Sequence, residues 1–375
     1  MSGAALVVAQ TGVIFLDAFR ELNARKMFWI SMAIAALVVS VFGVLGINAK
    51  GVTVLWFTLE VPLFNTGLMS VGTFYKMLFA SVGIELWLGW ASTILALVSS
   101  ASLIPDFVGS GQIESMVARP IGRVRLFLTK YVAGLLFVFL QALVFTLAAV
   151  VLIGLRSGEW MWTLLAAVPI VTLFFSYLFC VSALVGVWTR STLAALAAAL
   201  AVWGCVLAVG VADNIVIGQT FSAERQANLM RADVQATALQ VTRLEQDGAT
   251  PERMADLRAG LERREREVAA KEKSLETLKF WGRVSATART ILPKTGETKD
   301  LIARLAISDE EMARFMDAAD QDPRGGGGPF GDRATLRHVE NVNKGRSVWW
   351  IVGTSLLFQG MVLGAACYVF ARRDF

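Results

Sequence analysis

The sequence predicts an all-α membrane protein: six transmembrane helices, both termini cytoplasmic, and an extracytoplasmic antiparallel helical hairpin inserted between helices five and six. Three observations lead there. The mean hydropathy is +0.58, with 55% hydrophobic and 17% charged residues, where a soluble domain carries about 25% charged. The charges are gathered in one polar block from Asn214 to Arg346, and long stretches outside it carry none. A hydrocarbon core about 30 Å thick needs roughly 20 apolar residues in a helix, and six segments reach that length.

The first stretch, residues 1–26, places Ile14, Phe15, Ala18 and Leu22 at helical spacing, largely opposite Asp17, Arg20, Glu21 and Arg25. That pattern suits a cytoplasmic helix lying in the membrane interface, in contact with lipid; a plain cytoplasmic extension of the first span is the alternative. Residues 27–212 hold five spans, about Met27 to Ile47, Met77 to Leu103, Tyr131 to Leu155, Met161 to Val187 and Thr192 to Ala212. The first is longer than a signal-peptide apolar region and lacks a small-residue cleavage site, so it reads as a retained anchor. Pro169 predicts a kink in the fourth, which neighbouring groups in a bundle tolerate. Only Trp188-Thr-Arg-Ser191 separates the fourth and fifth spans, which forces a tight turn. Residues 347–375 supply the sixth span, about Val348 to Phe370, and a cytoplasmic tail.

Orientation follows from positive charge in short loops. With the N-terminus inside, the cytoplasmic set is Arg20, Arg25, Lys26, Arg119, Arg123, Arg125, Lys130, Arg190, Arg372 and Arg373, against Lys50, Lys76 and Arg156 outside. The long block between spans five and six then lies outside, and long translocated segments largely escape the rule.

That block, residues 213–346, has its own periodicity. Met230, Val234, Thr237, Val241 and Leu244 recur by threes and fours, as do Met254, Leu257, Leu261, Arg264, Val268, Lys271, Leu275 and Leu278. Between the two runs, Thr250 and Pro251 make a helix start. Arg264 and Lys271 interrupt the seam, so its middle is either loosely packed or paired with acidic residues. Residues 322–329 form a Gly-rich linker. A solvated spacer and a partner-binding arm both fit this block.

Several chemistries are set aside. No Gly-x-x-x-x-Gly-Lys-Ser/Thr loop is present, so ATP hydrolysis is not expected of this chain. No Gly-x-Ser-x-Gly elbow occurs either. The single His338 has no Cys or His nearby, and Cys180, Cys205 and Cys367 fall within spans, so no metal, cofactor, disulfide or nucleic-acid partner is expected. Glu85 is ionisable within the second span. An intramembrane carboxylate is costly, and it is either a functional site or a protonated or paired structural group. Interhelical hydrogen bonding accounts for Gln141 and Gln359.

The segment 104–130 between spans two and three carries the most specific signal. It holds Gly111-Gln-Ile-Glu114, then Met116, Val117 and Ala118, then Arg119-Pro120-Ile121 and Arg123. This resembles the cytoplasmic coupling turn of type-2 ATP-binding-cassette exporter permeases. A short amphipathic helix ended by Pro120, with Glu114 and the arginines facing the cytosol, suits force transmission; a basic loop that only sets topology is the alternative. The six spans, the amphipathic lead, the basic turn at Arg190, the Phe370-Ala-Arg-Arg-Asp-Phe375 ending and the Ile291-Leu-Pro-Lys294 stretch before the last span agree with that family.

The resemblance covers roughly residues 6–212 and 290–375, and the enlarged block departs from it. It implies a separate ATP-binding-cassette ATPase subunit and a second permease subunit, the same or different. Glu114, Arg119 and Arg123 would dock the ATPase, Pro120 would end the coupling helix, and Glu85 is the one guess for a substrate contact. Export from a bacterial plasma membrane is the expected activity. Two alternatives stand: an ATP-driven actuator of an extracytoplasmic protein partner, and a passive membrane scaffold.

Overall fold

The computed structural model describes residues 12–13, 20, 26–60, 66–67, 69–109, 122–246, 251–307 and 333–372. The N-terminal interfacial helix (save those three residues), the motif residues Glu114, Arg119 and Pro120, the Gly-rich linker and the last three residues lie outside them.

Helices dominate, and six are long and apolar enough to cross a membrane. They are α1 (Lys26–Val44), a composite second span over Val71–Val108, α5 (Arg123–Ser157), a fourth comprising a 3-10 turn (Trp162–Ala166) and α6 (Ala167–Thr189), α7 (Thr192–Gln246), and the final helix α11 (Val348–Arg372). The composite span is built from α2 (Val71–Leu78), a π-helical segment (Phe79–Ala91), α3 (Ser92–Ser100) and the start of α4 (Leu103–Gly109). Among the described residues, α8 (Pro251–Ile291), α9 (Thr295–Ala306) and α10 (Arg333–Lys344) lie between α7 and α11.

The fold is not wholly helical. Leu45–Asn48, Gly51–Val54 and Phe57–Leu59 form β1, β2 and β3, a three-stranded antiparallel sheet pairing Leu45 with Val54 and Val52 with Leu59. The expectation of an all-α chain is corrected to that extent. Asn48 nucleates the first turn by accepting from the backbone N–H groups of Lys50 and Gly51, each at 2.9 Å. Alternation over three or four residues escapes notice beside an apolar run of about 20 residues.

Two compact units emerge. One comprises Met1–Leu207, Leu292–Gly325 and Ser347–Phe375, the other Ala208–Ile291 and Gly326–Arg346. In the first, α6 is central, packed against α5, α11, α9 and α4. Phe42, Phe79, Trp87 and Phe145 form an aromatic cluster with neighbouring centroids 6.1–6.5 Å apart. Tyr131 donates to the Ser176 carbonyl at 2.8 Å, Gln359 donates to the Tyr131 hydroxyl at 3.2 Å, and Ser176 donates to Gln359 Oε1 at 3.0 Å. That network ties α5, α6 and α11 together, as expected for Gln359. Gln141 differs: its side chain is fully buried and neither amide atom finds a partner among the described residues.

Pro169 also departs from expectation. It falls in the first turn of α6, where a missing N–H goes unused, and the irregularity lies upstream as the 3-10 turn rather than as a mid-span kink. Between α6 and α7 the turn is as short as the sequence requires: Arg190 adopts φ +55° and its N–H closes on the Gly186 carbonyl.

In the second unit the polar part of α7 is joined to α8 by Arg231–Glu272, Lys279–Glu224 and Arg258–Glu245 ion pairs, with partners in opposite order along the two helices. Arg264, one of the two interruptions of the apolar seam, lies 3.4 Å from Asp233 and donates to the Thr237 hydroxyl. Thr237, Val241 and Leu275 are buried along the seam.

Candidate functional site

Of the residues expected to couple to an ATPase, only Arg123 is described. It opens α5, and its guanidinium donates to the Ala371 carbonyl at 3.2 Å, near the end of α11. Nearby, Lys130 is buried with its ammonium 5.4 Å from the Phe107 ring centre, and Phe370 stacks on Phe107 and lies tilted against Phe127. The start of α5, α4 and the end of α11 thus form one packed node, with α4 ending just before residues 110–121 and α5 starting just after them.

Glu85 lies in the π-helical segment of the second span. Wider i→i−5 bonding is evident at its end, where the Ser92 N–H reaches the Trp87 carbonyl and Thr93 Oγ1 donates to Leu88 O at 2.8 Å. Such a segment adds a residue to the turn and rotates the rest of the helix, and it recurs at functional sites.

Facing it is α9, an element whose arrangement sequence reasoning missed. Lys294 precedes it, 1% exposed: its backbone N–H donates to Ser355 Oγ at 2.9 Å and its ammonium sits 4.4 Å from the Trp350 ring centre. Glu297, Thr298, Leu301 and Ile302 are buried against the first unit. The sequence grouped 213–346 as one extracytoplasmic block because the charges are continuous. By its contacts α9 instead belongs with the apolar helices. The available signal was the i, i+3, i+4 spacing of Thr298, Leu301 and Ile302 along one short helix.

Glu85, Lys299 and Asp300 line a groove of about 220 Å³ between the π-helical segment and α9. Apolar walls come from Met77, Ile84, Ala303 and Ile307. The Lys299 stem lies against Gly89, where an added Cβ would stand 2.9 Å from its Cδ, so only glycine admits it without a shift. Its ammonium is drawn toward the rings of Trp90 and Phe174, at 5.7 and 5.8 Å from their centres. Burial lowers the Lys299 pKa, opposed by the charges of Glu85 and Asp300. Asp300 is pushed up to about 6, by burial first and then by the neighbouring charge of Glu297, with Lys299 and Arg304 opposing and Glu85 adding to the rise. The groove therefore gathers Glu85, the guess made from sequence, with two charged residues that sequence reasoning did not single out.

The second unit holds a further polar node. Asp213, 3% exposed, accepts from Ser285 at 2.7 Å and from Arg346 at 2.9 Å, and it pairs with Arg289. His338 stacks on Phe221 with ring centroids 4.1 Å apart. Among the described residues no group of three or more His, Cys, Asp or Glu side chains is placed to hold a metal ion. Comparison with family models, with curated proteins and with solved structures found no match to this chain.

Proposed function

We propose that this chain is the membrane-spanning permease subunit of an ATP-driven exporter of the type-2 ATP-binding-cassette kind, working with a separate ATPase subunit and a second permease subunit. The observation that carries the reading is the motif from Gly111 to Arg123, placed between the second and third of six apolar helices. In this reading Glu114, Arg119 and Arg123 dock the ATPase and Pro120 ends the coupling helix. Closure of the ATPase dimer on ATP pushes on the braced start of α5. Both termini are cytoplasmic, the membrane is a bacterial plasma membrane, and α7 with α8 forms an extracytoplasmic hairpin.

The test is affinity purification of the tagged chain from its native membrane with an ATPase assay, comparing wild type with Glu114→Arg plus Arg119→Glu. An ATPase that co-purifies with wild type and is lost from the double variant supports docking at this segment. If no ATPase is recovered even after crosslinking, the permease reading fails.

A second reading, the actuator, draws support from α7. It continues unbroken for 55 residues, from the apolar run into the polar one, and a continuous helix carries displacement along its axis. In that reading ATP cycling moves the hairpin against an envelope protein. Site-specific crosslinking from exposed Leu229 and Leu239 would then trap one defined extracytoplasmic protein, which simple export does not require.

A further inference from the structure

The character of α8 changes after Lys279. From Glu252 to Lys279, 15 of 28 residues are charged, whereas from Phe280 to Ile291 only Arg283 and Arg289 are, and no acid occurs. Exposure changes at the same place. Between Glu252 and Lys279 no large apolar side chain is exposed, while Phe280, Trp281, Val284 and Ile291 all are. Phe280, Val284 and Ile291, spaced by four and seven, share one face of the helix.

These last turns run beside a stretch of α7 that is equally poor in charge. Ser285 donates to Asp213, Arg289 pairs with it, a Cβ on Gly282 would lie 3.6 Å from Val216 Cγ1, and Lys279 pairs with Glu224. Asp213 is the only charged residue from Thr192 to Ala223. Val211 and Ile215, each two residues from it and so about 200° around the helix, are exposed on the face of α7 turned away from α8. Large apolar groups thus face outward from both helices, and surface of this kind marks a protein or membrane contact. One docked protein would cover one side, whereas lipid covers every side. Length agrees with lipid. At 1.5 Å per residue the run from Thr192 to Phe221 spans about 45 Å, against about 30 Å of hydrocarbon and about 40–45 Å with the headgroups included.

We infer that the last three turns of α8, Phe280 to Ile291, are embedded in the lipid leaflet at the end of α7 remote from Arg190, with Ile291 deepest and Phe280 among the headgroups. Trp281 then sits at the level where tryptophan gathers at membrane surfaces, and Arg283 reaches lipid phosphate with its stem against the acyl chains. The pairing of Asp213 with Arg289 and Arg346 is what a carboxylate at that depth requires. The base of the helical hairpin is therefore a membrane element, and only its charge-dense part projects into water. A membrane-crossing α7 is all this requires, and nothing is taken from the permease reading.

Spin labelling of the full chain in phosphatidylcholine nanodiscs tests it. With Cys180→Ala, Cys205→Ala and Cys367→Ala as background, single labels are attached through Phe280→Cys, Val284→Cys and Ile291→Cys, and through Leu239→Cys as the reference in water. Collision with oxygen, which concentrates in lipid, is compared with collision with a water-soluble nickel chelate. The oxygen-to-nickel ratio should rise from position 280 to position 291. At positions 284 and 291 it should stand about tenfold above that at 239, because the polar chelate is excluded from hydrocarbon. A ratio at 284 or 291 equal to that at 239 puts this surface in water and overturns the inference. Low access to both reagents means that protein covers it, a second copy included, and overturns the inference as well. The unmodified chain gives an answer that no substitution can disturb. With a phosphatidylcholine carrying a diazirine on its acyl chain, photo-adducts are expected on residues 284–291 and not on 252–278, and their absence from 284–291 overturns the inference. Neither measurement involves an ATPase, so the permease reading stands or falls by its own test.

Discussion

Asp213 is the residue on which the second unit most depends. It is buried, and three donors from α8 and from the bend after α10 converge on its carboxylate. Arg289 and Arg346 are themselves only 10% and 17% exposed in their side chains. Removing one partner of a buried charge network costs about 3–5 kcal/mol, because the others remain buried and uncompensated. Asp213→Asn keeps the shape and loses the charge, so a cost at the lower end, about 3 kcal/mol, is expected. The exposed Arg258–Glu245 pair is the contrast, since breaking such a pair costs about 1 kcal/mol or less. Thermal unfolding of Asp213→Asn beside Arg258→Ala, followed by helical circular dichroism, checks this, and equal shifts would remove the node's special place. In the sequence Asp213 was visible only as the first charge after an apolar run. Nothing there pointed to Ser285, Arg289 and Arg346, which lie 72, 76 and 133 positions away. Glu85 was legible for the opposite reason, because a charge inside an apolar span stands out against its own neighbours.

Among the elements, α5 packs on α6 at Gly134, against the ring of Phe179. A Cβ there would lie 2.6 Å from the Phe179 ring, too close for any side chain without movement. Small residues at such crossings let helix backbones approach in a setting where lipid competes equally for apolar surface. Gly134→Leu should therefore cost about 1–3 kcal/mol through overpacking, read as a lower unfolding temperature in nanodiscs. Gly204 is a matched control on α7, because a Cβ there meets nothing within 4 Å; if Gly204→Leu costs as much, close packing is not the cause. Helix positions were legible because length and hydropathy suffice to find them. Crossing contacts and the π-helical segment were not, since both depend on which side chains meet across the bundle. The unpartnered Gln141 shows the same limit: its position in α5 could be read, but the expected interhelical bond depends on a neighbour that the fold does not supply.

At the scale of the whole molecule, six apolar helices and a charge-dense block were readable from composition along the chain. The fate of the block was not, because α9 carries as much charge as its flanks yet packs with the apolar unit. Charge density reports an average environment, whereas packing is decided by the apolar stripe of one short helix. The two-unit division makes a further prediction, centred on α7. Ala232 lies well inside the polar half of this helix. A proline there removes a backbone hydrogen bond and clashes with the preceding turn, at about 3 kcal/mol or more. If the units unfold separately, Ala232→Pro should raise tryptic cleavage at Arg225 and Arg243 about a hundredfold, since each 1.4 kcal/mol is tenfold in an opening equilibrium. Residues 26–207 should meanwhile stay resistant, and recovery of any bound ATPase should be unchanged, because the proposed docking segment is followed directly by α5, a helix of the first unit. Equal loss of protection in both regions would instead mean one cooperative body, in which a disturbance of the polar arm is felt throughout the membrane helices.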